Sequence, residues 1–189
     1  MKSLLVAGAF PRLETERLVL RQITLDDAES LLRHFADDDV TRFIDVPSMT
    51  DVEQAEKIIM YGISLFERRE GIRWGISRQG DERLIGTCGF DNVTKIRGSR
   101  GEVKYDLSRS CWGQGLMSEA LAEVVRYGFE QMELNRIEAL VVKDGERSQR
   151  LLRRLGFQEE GTLRGYGYWK GRYWDEVSFS LLKDEWSPA

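Results

Sequence analysis

The residues with the clearest chemical potential form a glycine-containing loop that leads into a predicted helix. The loop, Ser108 to Gly115, reads Ser-Arg-Ser-Cys-Trp-Gly-Gln-Gly, and apolar residues recur at helical spacing from Met117 onwards. Gly113 and Gly115 lack a Cβ atom, so the backbone can come close to a ligand. A helix N-terminus favours an anion through its unpaired N–H groups and its dipole. The loop therefore predicts a pyrophosphate site, and a turn chosen for its geometry alone is the competing interpretation.

Two common nucleotide-binding loops do not fit these residues. No Gly-Lys-Ser/Thr follows the glycines, so the segment is not a Walker loop. The run from Gly113 to Ser118 also lacks the third glycine of the dinucleotide-binding fingerprint.

The element before the loop is predicted to be a strand with two distinct faces. Residues of Glu102–Leu107 alternate with a period of two. One face carries Val103, Tyr105 and Leu107, and the other carries Glu102, Lys104 and Asp106. A solvated face with mutually paired charges is the simplest interpretation of the second set.

The remaining pattern predicts a mixed sheet with helices packed on it. Thr24 and Asp27 form a capping box at the start of one helix, and Asp51 starts a second that extends to about Arg69. The other predicted elements are paired strands at 72–76 and 84–90, a strand at 136–142, a helix at 146–155, a hairpin around 170–171 and a last strand at 175–182.

Composition limits the classes of function. The chain has 189 residues, 41% of them apolar, and a formal net charge of −4, which gives a nucleic-acid partner no electrostatic support. His34 is the single histidine, so a His-rich zinc site is excluded and a His-based triad is improbable; its position beside an apolar stripe predicts a helix-surface or half-buried side chain. Cys88 and Cys111 make no disulfide framework. The apolar run at residues 4–10 is too short and poorly flanked for a secretory signal or a membrane span, so we expect a cytoplasmic protein without a membrane partner.

Taken together, the motifs resemble the GNAT superfamily of N-acetyltransferases, in its RimJ/RimL-like branch. The signature segment is Trp112–Leu121, and further matches are Leu13–Leu18, Leu155–Phe157 with Glu160-Gly161, and Ser180–Trp186. The resemblance covers residues 13–186 as one domain, with residues 1–12 as an N-terminal extension. It implies an α/β (α+β) fold: a mixed, mostly antiparallel sheet of about seven strands, about four flanking helices, and fourth and fifth strands that splay apart.

The resemblance also implies acetyl-CoA as co-substrate and no metal. The pantetheine arm would pair with the strand main chain, and the pyrophosphate would lie on loop amides. Main-chain contacts are expected from Tyr105, Asp106 and Leu107. The loop contributes Trp112, Gly113, Gln114, Gly115, Leu116, Met117 and Ser118. Met117 departs from the usual Gly or Ala, and Trp112 from the usual Gln or Arg. Arg147 or Arg150 could pair with the 3′-phosphate.

The catalytic residues follow from the chemistry of an amine nucleophile, which must lose a proton. Glu102 is the first candidate base, because its position on the fourth strand resembles that of the glutamate base in the histone-modifying branch. Glu138, on the fifth strand, is the second candidate, and transfer through water is the alternative. Ser148 matches the serine of RimL-like enzymes that contacts the coenzyme thiol, and a simple helix cap is its competing role. Three positions depart from family patterns. Leu152 stands where many members have a tyrosine that acts as the general acid. Gly145 replaces an asparagine, and Gly167 replaces the glutamate base of RimL-like enzymes.

The branch implies the N-terminal α-amine of a protein, such as a ribosomal protein, as the acceptor. A small amine (polyamine, amino acid or aminoglycoside-like compound) and a non-catalytic acyl-CoA sensor are the alternatives. An aromatic cluster lies around the last hairpin, and it predicts cross-strand packing, a wall of the acceptor cleft or a homodimer contact. Its members are Tyr166, Tyr168, Trp169, Tyr173 and Trp174.

Overall fold

The computed structural model describes residues 9–96 and 98–187, which form one eight-stranded sheet with helices on both faces. The strand order is β1-β2-β3-β4-β5-β6-β8-β7, and only the β5–β6 pair is parallel. The strands are β1 (Leu13–Glu14), β2 (Leu18–Gln22), β3 (Ile72–Arg78), β4 (Leu84–Thr94), β5 (Arg100–Leu107), β6 (Arg136–Val142), β7 (Gln158–Trp169) and β8 (Arg172–Leu182). The expected mixed, mostly antiparallel fold is confirmed, and the two-residue β1 raises the count from seven to eight.

Five α-helices connect the strands. They are α1 (Ala28–Phe35), α2 (Asp38–Thr41), α3 (Val52–Glu67), α4 (Leu116–Glu130) and α5 (Glu146–Arg154). The predicted caps are present: the Asp51 side chain accepts from the Gln54 N–H, and Asp27 accepts from the Thr24 N–H. The short α2 was not predicted, because four residues are too few to show a helical period.

Two apolar layers result from the alternation of side chains along the strands. The larger core lies under α4 and α5 and includes Val103, Ile137, Val177 and Phe179. The smaller core lies under α1 and α3. The face of β5 that carries Glu102, Lys104 and Asp106 therefore belongs to the α1 side of the sheet.

The strands β5 and β6, the fourth and fifth of the expected count, separate part-way along their length. They pair only at residues 100–102 with 136–138. Beyond that point β5 continues to Leu107 and β6 to Val142 without pairing with each other. The predicted splay is confirmed, and it leaves a gap between the two strands beyond their last paired residues.

Residues just before the predicted domain start at residue 13 pack against the sheet and α3. Phe10 contacts the rings of Phe66 and Trp74, and the Pro11 carbonyl accepts from the Trp74 indole N–H at 2.7 Å. Residues 1–8, where a signal sequence was considered, lie outside the described residues. In the described part of the chain, no helix has both the length and the apolar character needed to cross a bilayer.

Candidate active site

The glycine loop presents a concave run of backbone amides. Gly113 and Gly115 both have φ near +75°, a conformation that disfavours side chains, and Gly115 is the N-cap of α4. Within the described residues, no acceptor takes a hydrogen bond from the amides of Gly113, Gln114 or Gly115. The first-turn amides of α4, up to Ser118, have no intrahelical partner by geometry. The loop can therefore bind an anion through a run of N–H groups.

Side chains from distant parts of the sequence hold this loop in place. The Gln114 carbonyl accepts from Arg17 at 3.0 Å, and its side-chain oxygen accepts from Arg78 at 2.7 Å. Glu119, in the first turn of α4, accepts from the Thr15 hydroxyl and from the Arg17 backbone and side chain. These bonds explain why the Leu13–Leu18 segment accompanies the loop motif: it fixes the start of α4.

The two departures from the loop signature have structural explanations. The Met117 side chain is 9% exposed and lies in the core, so its N–H remains available at the loop surface. The Trp112 indole N–H donates to the Leu107 carbonyl at 2.7 Å, which joins the loop to the end of β5. The Arg147 guanidinium stacks over the Trp112 ring at 5.0 Å, whereas Arg150 pairs with Glu146. Of the two arginines considered for the 3′-phosphate, Arg147 lies beside the loop.

Backbone groups of β5 line the gap on one side. The Ser108 N–H donates to the Ile85 carbonyl in β4, so Asp106, two residues earlier, also turns its backbone towards β4. Tyr105 and Leu107 therefore turn theirs towards the gap. This placement corrects the expected cofactor contact of Asp106, whose main chain is part of the β4–β5 ladder.

The Asp106 side chain is instead the centre of a buried network. Its carboxylate accepts from His34 Nε2 at 2.7 Å, from the Thr87 hydroxyl at 2.6 Å and from the Thr87 N–H at 3.0 Å. Arg73 lies 3.3 Å away, and the other His34 nitrogen is 2.9 Å from the Ser108 hydroxyl. Burial disfavours the charge, but the His34 hydrogen bond and charge, with Arg73 and Thr87, outweigh it and lower the pKa of Asp106.

This network corrects two expectations about His34. The side chain is buried, at 1% exposure, rather than on a helix surface or half-buried. A serine, the histidine and an aspartate also do come together, although a His-based triad was considered improbable. The prediction failed because His34 and Asp106 are 72 positions apart, and periodicity in α1 does not show which strand lies beneath it.

Ser148 contacts a phenol that the sequence did not single out for chemistry. In the first turns of α5, its hydroxyl forms a short hydrogen bond with the Tyr105 hydroxyl. Burial raises the pKa of Tyr105 to about 12, against the opposing effect of the Ser148 hydrogen bond. Leu152, at the family's usual tyrosine position, is fully buried in the core. The pair thus places two hydroxyl groups between β5 and α5, beside the β5–β6 gap.

The two glutamates predicted as bases both form ion pairs with cationic side chains. Glu102 forms an ion pair with Lys104 through Oε1, without a well-directed hydrogen bond, and its Oε2 accepts from the Asn92 amide at 2.9 Å. Glu138 lies 2.7 Å from Arg136 and 3.7 Å from Arg100. The expectation of mutually paired charges on β5 holds for Glu102 and Lys104, but this surface is covered rather than freely solvated: the Glu102 side chain is 13% exposed.

Residues 17–158 match the family model described as an acetyltransferase (GNAT) domain. The chain belongs to the GNAT family.

Relatives of this GNAT protein agree with that assignment. It is 43% identical over 174 residues to the uncharacterized N-acetyltransferase YoaA of Bacillus subtilis, covering 92% of this chain and 98% of YoaA. It is 31% identical over 116 residues to the [ribosomal protein uS5]-alanine N-acetyltransferase of Escherichia coli, covering 61% of this chain and 60% of the relative. The solved structure of RimL, a ribosomal L7/L12 α-N-protein acetyltransferase in complex with coenzyme A, has a TM-score of 0.82 at 22% identity, covering 91% of this chain and 98% of that one. This last likeness shows the fold.

Family membership establishes the reaction class and the co-substrate. The protein is an acetyl-CoA-dependent N-acetyltransferase with RimJ/RimL-like relatives, so the non-catalytic alternative is set aside. No cluster of three or more His, Cys, Asp or Glu side chains suited to a metal occurs in the ranges 9–96 and 98–187.

The α1 face of the gap in this GNAT protein carries a cluster of charged side chains, only some of which were predicted from the sequence. Lys104 forms an ion pair with Glu102 and also interacts electrostatically with the carboxylates of Asp45, Asp91 and Glu176. Burial alone would lower the pKa of Lys104, but Glu102, Asp45 and Asp91 raise it, so the ammonium is retained. Val177, Phe179 and Leu181 alternate into the core, and this pattern could have predicted that Glu176 lies on the α1 face. It could not have predicted that Glu176 interacts with Lys104 on another strand.

A segment after α2 covers the same face. Phe43 contacts the Trp174 ring edge-on at 6.1 Å, and Lys170 at the hairpin tip donates to the Thr41 carbonyl at 2.5 Å. Trp169 stacks on Trp174 at 5.4 Å. Cross-strand packing of the hairpin aromatics is therefore confirmed.

An open cavity of about 830 Å³ lies between α1 and the start of β4. Ser108 and His34 line it together with four arginines. Each arginine already has a partner: Arg33 pairs with Glu29, Arg78 with Gln114, Arg83 with Asp81 and Arg109 with Asp39. Because those cations are engaged, the cavity does not define a further anion site.

Proposed function

We propose that the protein acetylates the N-terminal α-amine of another protein, such as a ribosomal protein, by direct transfer within a ternary complex. The observation that carries this proposal is the group of four carboxylates around Lys104 at the α1 face of the gap. Its net negative charge attracts an ammonium group to the point where β5 and β6 separate. The resemblance to the uS5-alanine N-acetyltransferase supports a peptide acceptor.

The coenzyme would be held by groups already arranged for it. Loop amides from Gly113 to Ser118 take the pyrophosphate, and the main chains of Tyr105 and Leu107 take the pantetheine arm. The Leu107 N–H is then placed to polarise the thioester carbonyl. Positioning of the two reactants supplies a large part of the rate enhancement.

Acetyl transfer requires one proton to leave and one to arrive. The neutral amine attacks the thioester carbonyl carbon, the C–N bond forms and the C–S bond breaks, with the bonding pair leaving on sulfur. A carboxylate of the cleft receives the amine proton; Glu102 is the residue that the sequence suggests for this step. Ser148, hydrogen-bonded to Tyr105, supplies a proton or a hydrogen bond to the departing thiolate.

An α-amine suits this site because it is the easier amine to deprotonate. Its pKa is about 8, against roughly 10.4 for a lysine side chain, so a carboxylate base can suffice at neutral pH. A small polycationic amine is the second candidate acceptor. The acidic cluster favours such a cation, and so does the Thr41–Lys170 contact that narrows the approach to the gap.

Mass spectrometry separates the two acceptors. The purified protein is incubated with acetyl-CoA and either a peptide beginning with alanine, the same peptide with a blocked N-terminus and one lysine, or spermidine. We expect a gain of one acetyl group on the free N-terminus and none on the blocked peptide. Acetylation of spermidine alone would replace the peptide proposal with the small-amine one.

We further propose a cytoplasmic location and a homodimer. Cys88 and Cys111 are both buried and unpaired, as suits a reducing compartment. The outer hairpin exposes Tyr166, Tyr168 and Tyr173, at 61%, 63% and 71% of their surfaces, and this patch is the proposed dimer contact. Light scattering on the Tyr173→Ser variant tests it: the variant should be a monomer at concentrations where the unmodified protein is a dimer.

A further inference from the structure

We propose that the carboxylate of Glu176, on β8, receives the proton from the acceptor amine. The inference rests on the proposed function, because it names the base of that same site. No sequence signal assigned Glu176 a role. Three observations carry it: the position of the residue, the freedom of its carboxylate and the charges around it.

The position follows from strand register. Glu176 is paired with Val142 on β6 and with Leu163 on β7. Its neighbour Val177 points into the α4–α5 core, so Glu176 points to the α1 face. Val142 ends β6 well beyond the last β5–β6 pair at Glu138, so Glu176 stands beside the open part of the gap.

The carboxylate of Glu176 forms no ion pair among the described residues, whereas those of the other two candidate bases, Glu102 and Glu138, do. Among the described residues it makes no hydrogen bond and no ion pair, and it is partly buried. Protonation of Glu102 would weaken its contact with Lys104, and protonation of Glu138 would weaken two arginine contacts. Protonation of Glu176 breaks no such pair, so it costs the least in native interactions.

The charges that face Glu176 come from two other elements. Lys104 and Glu102 face it from β5, and Asp45 faces it from the segment after α2. Burial raises the pKa of Glu176; Lys104 opposes this, and Glu102 and Asp45 add to it, so that the pKa lies above the ordinary glutamate value. A carboxylate with a raised pKa is a stronger base near neutral pH.

The proton balance is complete with groups that the protein and its substrates supply. The amine nitrogen forms its bond to the carbonyl carbon as its N–H proton passes to Glu176, directly or through one water. The sulfur leaves with the electron pair of the C–S bond and is protonated from the Ser148 side. Glu176 then releases its proton to solvent, which restores the carboxylate.

The test compares Glu176→Gln, Glu176→Asp and the charge control Glu159→Gln on exposed β7. With acetyl-CoA and the alanine peptide, Glu176→Gln should lower kcat about 100-fold or more, with coenzyme A affinity unchanged. It should also remove the acidic limb of the pH–rate profile, which Glu176→Asp should partly restore and Glu159→Gln should leave intact. A loss confined to the KM of the peptide, or loss of the acidic limb in Glu102→Gln instead, would overturn the inference.

A second readout does not depend on the acceptor. Carbon-13 NMR of labelled glutamate carboxyls, assigned with Glu176→Gln, should show Glu176 titrating above the ordinary glutamate value. Titration of Glu176 at or below that value overturns the inference whatever amine is used. If the protein acetylates spermidine but no peptide, the proposed acceptor fails, and the same variants assayed on spermidine decide the role of Glu176.

Discussion

His34 Nε2 lies 2.7 Å from the Asp106 carboxylate and joins α1 to the C-terminal end of β5. Both side chains are nearly inaccessible to solvent, at 1% and 5% exposure. The contact fixes α1 to the strand that borders the β5–β6 gap. The packing of α1 against this part of β5 therefore depends on one buried polar network.

Replacement of His34 by alanine should destabilise the protein by about 3 kcal/mol, because it leaves a buried carboxylate with fewer partners. Urea unfolding measures the change. Ser108→Ala removes the outer end of the same network and should cost about 1 kcal/mol. Equal losses in the two variants would contradict a central role for the His34–Asp106 contact.

Stability should fall in acid because the folded-state pKa of Asp106 is depressed. The unfolded carboxyl then binds protons more readily than the folded one, so the stabilisation is present above about pH 4 and is lost as the pH falls through the folded pKa. Asp106→Asn should flatten the slope of unfolding free energy against pH below about pH 4. An unchanged slope in that variant would show that other carboxyls, such as Asp27 and Glu119, account for the acid sensitivity.

Gly115→Ala should weaken coenzyme A binding about tenfold, because a Cβ at positive φ strains the loop and moves its amides. Calorimetry measures the affinity. Gly80→Ala is the matched control, since Gly80 has the same φ of +75° in a turn with open space around it. Both variants should lose about 1 kcal/mol of stability, but only the loop variant should lose affinity.

Tyr105→Phe and Ser148→Ala should each lower kcat about tenfold, while coenzyme A affinity stays the same. If the two hydroxyls act as one unit, the double variant should be no slower than the slower single one. Stopped-flow measurement of thiol release, with a pH–rate profile, checks this. Multiplicative losses would show that the hydroxyls act independently.

The order of elements and the glycine loop could be predicted because both depend on local pattern. Periodicity located β5 and α4, and Gly113 and Gly115 indicated the turn with positive φ that precedes α4. The splay of β5 from β6 also followed from the resemblance. These features need information from short stretches of chain.

The side-chain chemistry could not be predicted to the same depth because it depends on contacts between distant elements. Alternation placed Asp106 on a face of β5 but did not show that His34 covers it. It likewise left Tyr105 without its partner Ser148, 43 positions away. The expected main-chain role of Asp106 failed for the same reason, since the edge of a strand that faces a gap is set by its neighbours.

The bond from Lys170 to the Thr41 carbonyl has a consequence for which amines can react. Together with the Phe43–Trp174 contact, it ties α2 and the segment after it to the β7–β8 hairpin, and we expect this tie to restrict access to the carboxylates. A lysine held on a rigid helix would be kept out, while a loose chain end or a slender small molecule can thread beneath. Selectivity against internal lysines would then depend first on steric access to the carboxylates, and only second on the difference in pKa between the two kinds of amine.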